Sequence, residues 1–247
     1  MEQFRIFGFK VMVLSFALFS HYTKAQDIES NDKKLSEKEK SIITIASLTA
    51  KGDLVKLKTE LNTGLEAGLT VNEVKEVLVH TYAYCGFPRS IRGLQTFMEV
   101  LNERKAKGII DVSGKEATPI KEDDNKYQRG KKILEELTKT PQPNTLTGYS
   151  AFAPIIDTFL KEHLFADIFE RDVLTFAQRE LVTISVISAI GDAEPMLKSH
   201  LSIAGNIGLT PEQLEEFIDV IKPIVDKKKT KAAREVLNEV LKNRKSQ

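Results

Sequence analysis

The 247-residue chain contains no tryptophan and a single cysteine, Cys85. One thiol permits no intramolecular disulfide, and neither a Cys-x-x-Cys redox pair nor a cysteine-rich zinc site is possible. Packing alone must hold the fold. An excess of charge is also missing: 36 Lys and Arg against 35 Asp and Glu leave a formal charge of +1. Counterion-release binding to a polyanion needs a concentrated basic face. The basic run Lys227–Lys229 is short, abuts Asp226 and reads as a solvated turn.

The N-terminus differs from the rest. Arg5 and Lys10 precede the apolar run Val11–Phe19, and Thr23-Lys24-Ala25 places small residues at the −3 and −1 positions of a cleavage site. A charged region, a short apolar region and such a site read as a secretory signal peptide over 1–25. The apolar run is too short to span a bilayer. A periplasmic or secreted protein follows as the expectation.

From Leu35 onward the pattern is helical, and it predicts an all-α protein. Ser36 with Glu39 has the form of a capping box opening a helix to about Ala50. A second helix runs from about Asp53 to Ala67 and stops at Gly68, and Thr70 with Glu73 opens a third to about Tyr84. Gly86-Phe87-Pro88 breaks the chain, with a fourth helix from Pro88 to about Lys105. Gly108–Asp124 is rich in charge, Gly and Pro and reads as a linker. Beyond it the pattern predicts a helix over Lys126–Leu137 and two short helices over Ala151–Phe169. In that second stretch Phe152, Ile155, Phe159, Leu164, Phe165, Ile168 and Phe169 form an apolar stripe. Further helices fall at about Pro211–Val225 and Thr230–Arg244.

The two halves are a repeat. Thr44-Ile45 matches Thr183-Ile184, and Ala50-x-Gly52-Asp53 matches Ala189-x-Gly191-Asp192. After one inserted residue, Leu57-Lys58 matches Leu197-Lys198, Gly68-Leu69-Thr70 matches Gly208-Leu209-Thr210, and Arg104-Lys105 matches Arg244-Lys245. The first unit therefore covers 35–105, the linker 106–125 and the second unit 126–245. Each unit is small, so the halves are expected to pack on one another.

Arg179–Thr210 carries the unusual chemistry. Glu180 shares a helical stripe with Thr183, Ile184 and Ile187, and His200 shares one with Leu197, Ile203, Ala204 and Ile207. Two such helices crossing at their apolar faces bring a carboxylate and an imidazole together away from water, which is how a fold makes an acid/base pair. A structural Glu–His hydrogen bond in a helical core is the competing reading. The repeat has diverged here: Glu180 aligns with Ser41, and His200 with Glu60. Conversely His80–Ser90, with its aromatic, Gly and Pro residues, aligns with Val220–Thr230, which lacks them. A composite site would explain this, built from Glu180 and His200 in one half and Tyr84–Arg92 in the other. His80 and His163 read as surface or helix-packing residues.

The pattern R-E-L-V-T-I at Arg179–Ile184, then A-x-G, H-L at His200-Leu201, G-L-T-P-E at Gly208–Glu212, and Y-A-Y-C-G-F-P-R-S at Tyr82–Ser90 resembles the carboxymuconolactone decarboxylase family. More closely, it resembles a tandem, fused form of that all-helical, alkylhydroperoxidase D-like domain. The peroxidase branch of that family carries a Glu, a Cys-x-x-Cys and a His. Glu180 and His200 stand at the Glu and His positions, but Gly191–Leu197 (GDAEPML) between them holds no cysteine. The resemblance therefore implies the acid/base pair without the redox centre.

The decarboxylase branch implies no metal and no organic cofactor. Decarboxylation of a lactone needs a clamp for carboxylates and an acid/base for the developing dienolate. Glu180 and His200 are the candidate catalytic residues. Arg89 and Arg92 are candidates for the clamp, in the first turn of the helix opened by Pro88. Tyr84 and Cys85 are candidate lining residues.

The expected function is an exported carboxymuconolactone decarboxylase-like lyase acting on a small carboxylate-bearing compound. The alternatives are an antioxidant protein using Cys85, with peroxiredoxin-type activity, and a non-catalytic helical binding module. A small-molecule substrate is the expected partner, with no nucleic acid and, after signal cleavage, no membrane. Apolar stripes on more than one helix face point to a homo-oligomer, and the resemblance implies a ring, here a trimer of fused chains.

Overall fold

The computed structural model describes residues 34–120 and 125–244, and the predicted signal peptide lies outside them. The elements are α1 (Glu37–Lys51), α2 (Leu54–Glu66), α3 (Val71–Ala106), α4 (Lys126–Thr138), α5 (Gly148–Phe152), α6 (Pro154–Thr158), a π-helix (Phe159–Phe169), α7 (Phe176–Ile190), α8 (Glu194–Asn206), α9 (Pro211–Ile221) and α10 (Lys227–Arg244). The described residues contain no strand. None of their helices is long and apolar enough to cross a membrane.

The fold is built on the pairing of α1 with α7, the equivalent helices of the two repeats. Ser41–Ile43 and Ile45–Ala50 of α1 are buried, as is the whole run Arg179–Ala189 of α7. A helix stretch buried on all sides has no charged face, which is why only apolar residues and small hydroxyls occupy Ser41–Ala50 of α1 and Leu181–Ala189 of α7. Of their hydroxyls, Thr49 donates to the Ile45 carbonyl and Ser185 to that of Leu181, whereas those of Ser47 and Ser188 are buried without a partner. Around this pair a single core joins both halves, from Leu57, Leu61 and Val77 to Leu201, Phe217 and Leu237. Burial of each such side chain stabilises the fold by roughly 1.5–3 kcal/mol.

Local signals set the helix starts. Both arms of the capping box form at Ser36/Glu39 and at Thr70/Glu73, as predicted, and again at Thr175/Gln178 and Thr210/Gln213. The break in α3 is confined to Gly86, at φ 79° and ψ 161°. Beyond it the second limb folds back along the first, and the Ser90 hydroxyl reaches the Leu78 carbonyl at 2.8 Å.

Two sequence expectations are corrected. The basic run at 227–229 is the first turn of α10, not a turn in solvent. Asp226 caps that helix by accepting from the Lys229 amide at 3.0 Å, so the helix starts three residues early. The stretch after Tyr149 is two five-residue helices followed by a π-helix. The kink at Ala153-Pro154 splits the predicted stripe, leaving Phe152, Ile155 and Phe159 exposed while Leu164, Phe165, Ile168 and Phe169 go inward. The linker segment is tied down at several points. The Val112 and Ser113 carbonyls accept from the first-turn amides of Val71 and Asn72, and Thr118 bonds Asp172 through both its amide and its hydroxyl.

The start of the second unit, from α4 to the π-helix, forms its own small layer. α4 lies so close to the π-helix that a Cβ on Gly130 would fall 1.7 Å from the Lys161 carbonyl oxygen. Lys161, nearly buried, is held by both oxygens of Asp157 at 2.6 Å and by the Tyr127 hydroxyl at 2.9 Å. This layer packs its own apolar cluster, centred on Leu137, Phe165 and Phe169, over Tyr82 and Tyr84 of α3 and over Ile203 and Ile207.

Candidate functional site

Glu180 and His200 meet. Glu180 sits one turn into α7 and is wholly buried; its Oε2 accepts a hydrogen bond of 2.9 Å from His200 Nδ1. The His200 side chain, from the middle of α8, is 13% exposed. A carboxylate accepts only, so Nδ1 carries the proton and Nε2 is left to act outward. Nε2 has no bonding partner among the described residues. The other carboxylate oxygen, Glu180 Oε1, is buried without any hydrogen-bond partner. A native fold rarely leaves such a group unsatisfied, because each costs about 1–3 kcal/mol.

The first repeat completes the site through Tyr84. Its ring meets the His200 imidazole edge-on, with centroids 5.7 Å apart. Its hydroxyl is buried and also lacks a partner, as does that of Tyr82. Burial, reinforced by the nearby Glu180 charge, raises the Tyr84 phenol far above its ordinary range; the neighbouring Thr183 hydroxyl offsets this only in part. Tyr84 therefore stays protonated and offers a donor.

Behind this face runs a fully engaged polar ladder. Glu76 of α3 accepts from Arg171 at 2.6 Å and from Arg179 at 3.0 Å. Arg179, wholly buried, also donates to the Arg171 carbonyl and to His80 Nδ1. His80 Nε2 in turn lies 2.9 Å from Thr183 Oγ1. Burial, then the adjacent Arg179 charge, then His200, push the His80 pKa well below its ordinary value. Burial alone would raise Glu76, but the two arginines outweigh it and hold the carboxyl below its ordinary range. His80 is therefore no surface residue: its ring stacks on Tyr84 at 5.7 Å and meets the edge of Phe169 at 5.1 Å. His163 does lie at the surface, paired with Asp167.

The two arginines read as a carboxylate clamp are not brought to the pair. Both are exposed. The Arg89 guanidinium occupies the space beside Gly52, at the end of α1, and Arg92 bonds Gln95 within its own helix. Cys85 is half-buried, with its thiol donating to the Thr81 carbonyl at 3.1 Å. Burial raises its pKa, with Thr81 and Arg89 opposing. A thiol so placed is a weak nucleophile. Among the described residues, no three His, Cys, Asp or Glu groups stand together as a metal site would require.

Comparison with known proteins follows the same lines. A family model described as the carboxymuconolactone decarboxylase family matches residues 16–97 and 156–239, one region in each half. The chain is 29% identical over 97 residues to the 4-carboxymuconolactone decarboxylase of Acinetobacter baylyi, a stretch covering 39% of this chain and 72% of that protein. An uncharacterized protein of Methanocaldococcus jannaschii is 29% identical over 72 residues, 29% of this chain and 67% of that protein.

Proposed function

The chain belongs to the carboxymuconolactone decarboxylase family, and from that premise we propose that it is an enzyme moving protons at a small oxygenated compound, with Glu180 and His200 as its acid/base pair. The reaction class is decarboxylation or lactone processing. One observation carries the reading: a wholly buried carboxylate holds His200 Nδ1 at 2.9 Å and keeps its second oxygen free. A purely structural Glu–His pair would be expected to satisfy both oxygens.

In this mechanism Glu180 fixes the tautomer and ring orientation of His200. Nε2 then takes a proton from the substrate or returns one to a developing dienolate carbon. A positioned base of this kind contributes roughly 10²–10⁴-fold. The Tyr84 hydroxyl, held neutral, donates to the oxygen on which negative charge accumulates. Cys85, half-buried and bonded to the Thr81 carbonyl, speaks against the thiol-dependent alternative. Export belongs to the same proposal and rests on the charged, apolar and small-residue order of 1–25.

The test is turnover in deuterated water, reading product and deuterium incorporation by NMR with 4-carboxymuconolactone and uncharged enol-lactones as probes. His200→Ala and Glu180→Gln should each lower turnover by about 10²-fold or more while melting at the wild-type temperature. Equal rates in wild type and His200→Ala would refute the assignment.

A further inference from the structure

We infer that the substrate presents an uncharged hydroxyl or enol oxygen on a flat apolar ring to Glu180, Tyr84 and His200, and not a carboxylate. This rests on the site assigned above and, of its two reaction classes, favours lactone processing over decarboxylation. Three observations converge. At the pair, the buried polar atoms left without partners are an acceptor, Glu180 Oε1, and the hydroxyl of Tyr84, the phenol that meets His200. A hydroxyl can donate to the first and accept from a phenol at once, whereas a carboxylate can only accept. It would also bring a second negative charge beside Glu180.

Among the described residues, the cations nearest the pair are already committed elsewhere. Arg179, the buried guanidinium nearest the pair, is committed to Glu76, the Arg171 carbonyl and His80. Arg171 is committed to Glu76, and Lys161 to Asp157 and Tyr127. Arg89 and Arg92 sit elsewhere on the surface. A carboxylate could then be held only by protonated His200, which removes the free base that the chemistry needs.

The side chains packed around Tyr84, finally, are apolar and largely aromatic. Tyr84 packs into the cluster of Phe165 and Phe169, and Ile203 and Ile207 continue the same surface one and two turns beyond His200. Such surroundings favour a planar ring.

The decisive comparison is p-cresol against p-toluate, one ring carrying either a hydroxyl or a carboxylate. Each is titrated into the full-length protein at pH 8 while the imidazole signals are followed by NMR, His200 being assigned from His200→Gln. The expected result is that p-cresol shifts the His200 signals with a Kd about tenfold or more below that of p-toluate. Tyr84→Phe should weaken p-cresol and leave p-toluate unchanged. Equal or tighter binding of p-toluate at His200 would overturn the inference while leaving the acid/base site standing. Failure of both probes to move His200 would also overturn it, and the turnover experiment then decides separately whether the site is catalytic.

Discussion

His80 of the first repeat and Arg179 of the second share a buried hydrogen bond of 3.3 Å between Nδ1 and a guanidinium nitrogen. A guanidinium can only donate, so Nδ1 accepts, the ring proton resides on Nε2, and Nε2–H donates to Thr183 Oγ1. The two repeats are thereby tied by a neutral imidazole stacked on Tyr84, whose ring also meets His200.

That neutrality has a pH consequence. Burial, Arg179 and His200 depress the His80 pKa in the fold, whereas the unfolded chain holds it near 6.5. Below about pH 6.5 the unfolded state takes up a proton that the folded state refuses. Stability is therefore full above that pH and falls as the pH drops, by at most about 1.4 kcal/mol per pH unit from this group. Urea midpoints between pH 5 and 8 should show this slope. His80→Gln, which can still accept from Arg179 and donate to Thr183, should flatten it.

Glu76 holds two arginines, one of them wholly buried. Glu76→Ala leaves Arg179 as an unpaired buried charge, a defect worth about 3–5 kcal/mol. The loss should appear in denaturant unfolding and be far greater than that of Asp172→Ala, whose contacts are at the exposed surface. Because the two arginines lower the Glu76 pKa despite its burial, its contribution is present above its unfolded value, about 4.3. It is lost as the pH falls through the lower folded value.

The helices and the Glu180–His200 pair were legible because their signals are local: capping boxes at Ser36 and Thr70, and period-3.6 stripes on α7 and α8. The ladder behind them was not. Glu76 and Arg179 are separated by 103 residues, and burial of an arginine is decided by its partner rather than by its neighbours in sequence. His80 carried the one available clue, since it aligns with Val220, a hydrophobic position of the other repeat. Phe152 and Phe159 misled for a related reason: a stripe reads as inward only while the helix is continuous, and Pro154 and the π-helix change the phase. Arg89 was placed by its position in a first helical turn, which fixes its backbone but not the direction of a long side chain.

Gly86 sets where Tyr84 stands. Its φ of 79° and ψ of 161° lie in a region essentially reserved for glycine, while a Cβ there would meet only Pro88 Cδ at an ordinary 3.6 Å. Gly86→Ala should therefore cost about 1–3 kcal/mol through backbone strain alone. Relief of that strain would rotate the end of the first limb of α3. Near-ultraviolet circular dichroism of the tyrosines should change, and binding at His200 should weaken more than stability requires.

Glu180 gives the sharpest separation between a working site and a packed core. Replacing a wholly buried side chain ordinarily destabilises a protein by about 0.5–3 kcal/mol or more. Here one carboxylate oxygen is unpaired in the interior, a defect of about 1–3 kcal/mol already present in the wild type. Glu180→Met removes that defect and fills much the same volume. It leaves only His200 Nδ1 without a partner, on a side chain that water already reaches. The expected outcome is a variant as stable as wild type or more so in urea unfolding, yet devoid of turnover, as befits a group retained at the expense of stability. If Glu180 served the fold alone, Glu180→Met would instead unfold at lower denaturant than Glu180→Gln, since only glutamine keeps an acceptor for His200 Nδ1.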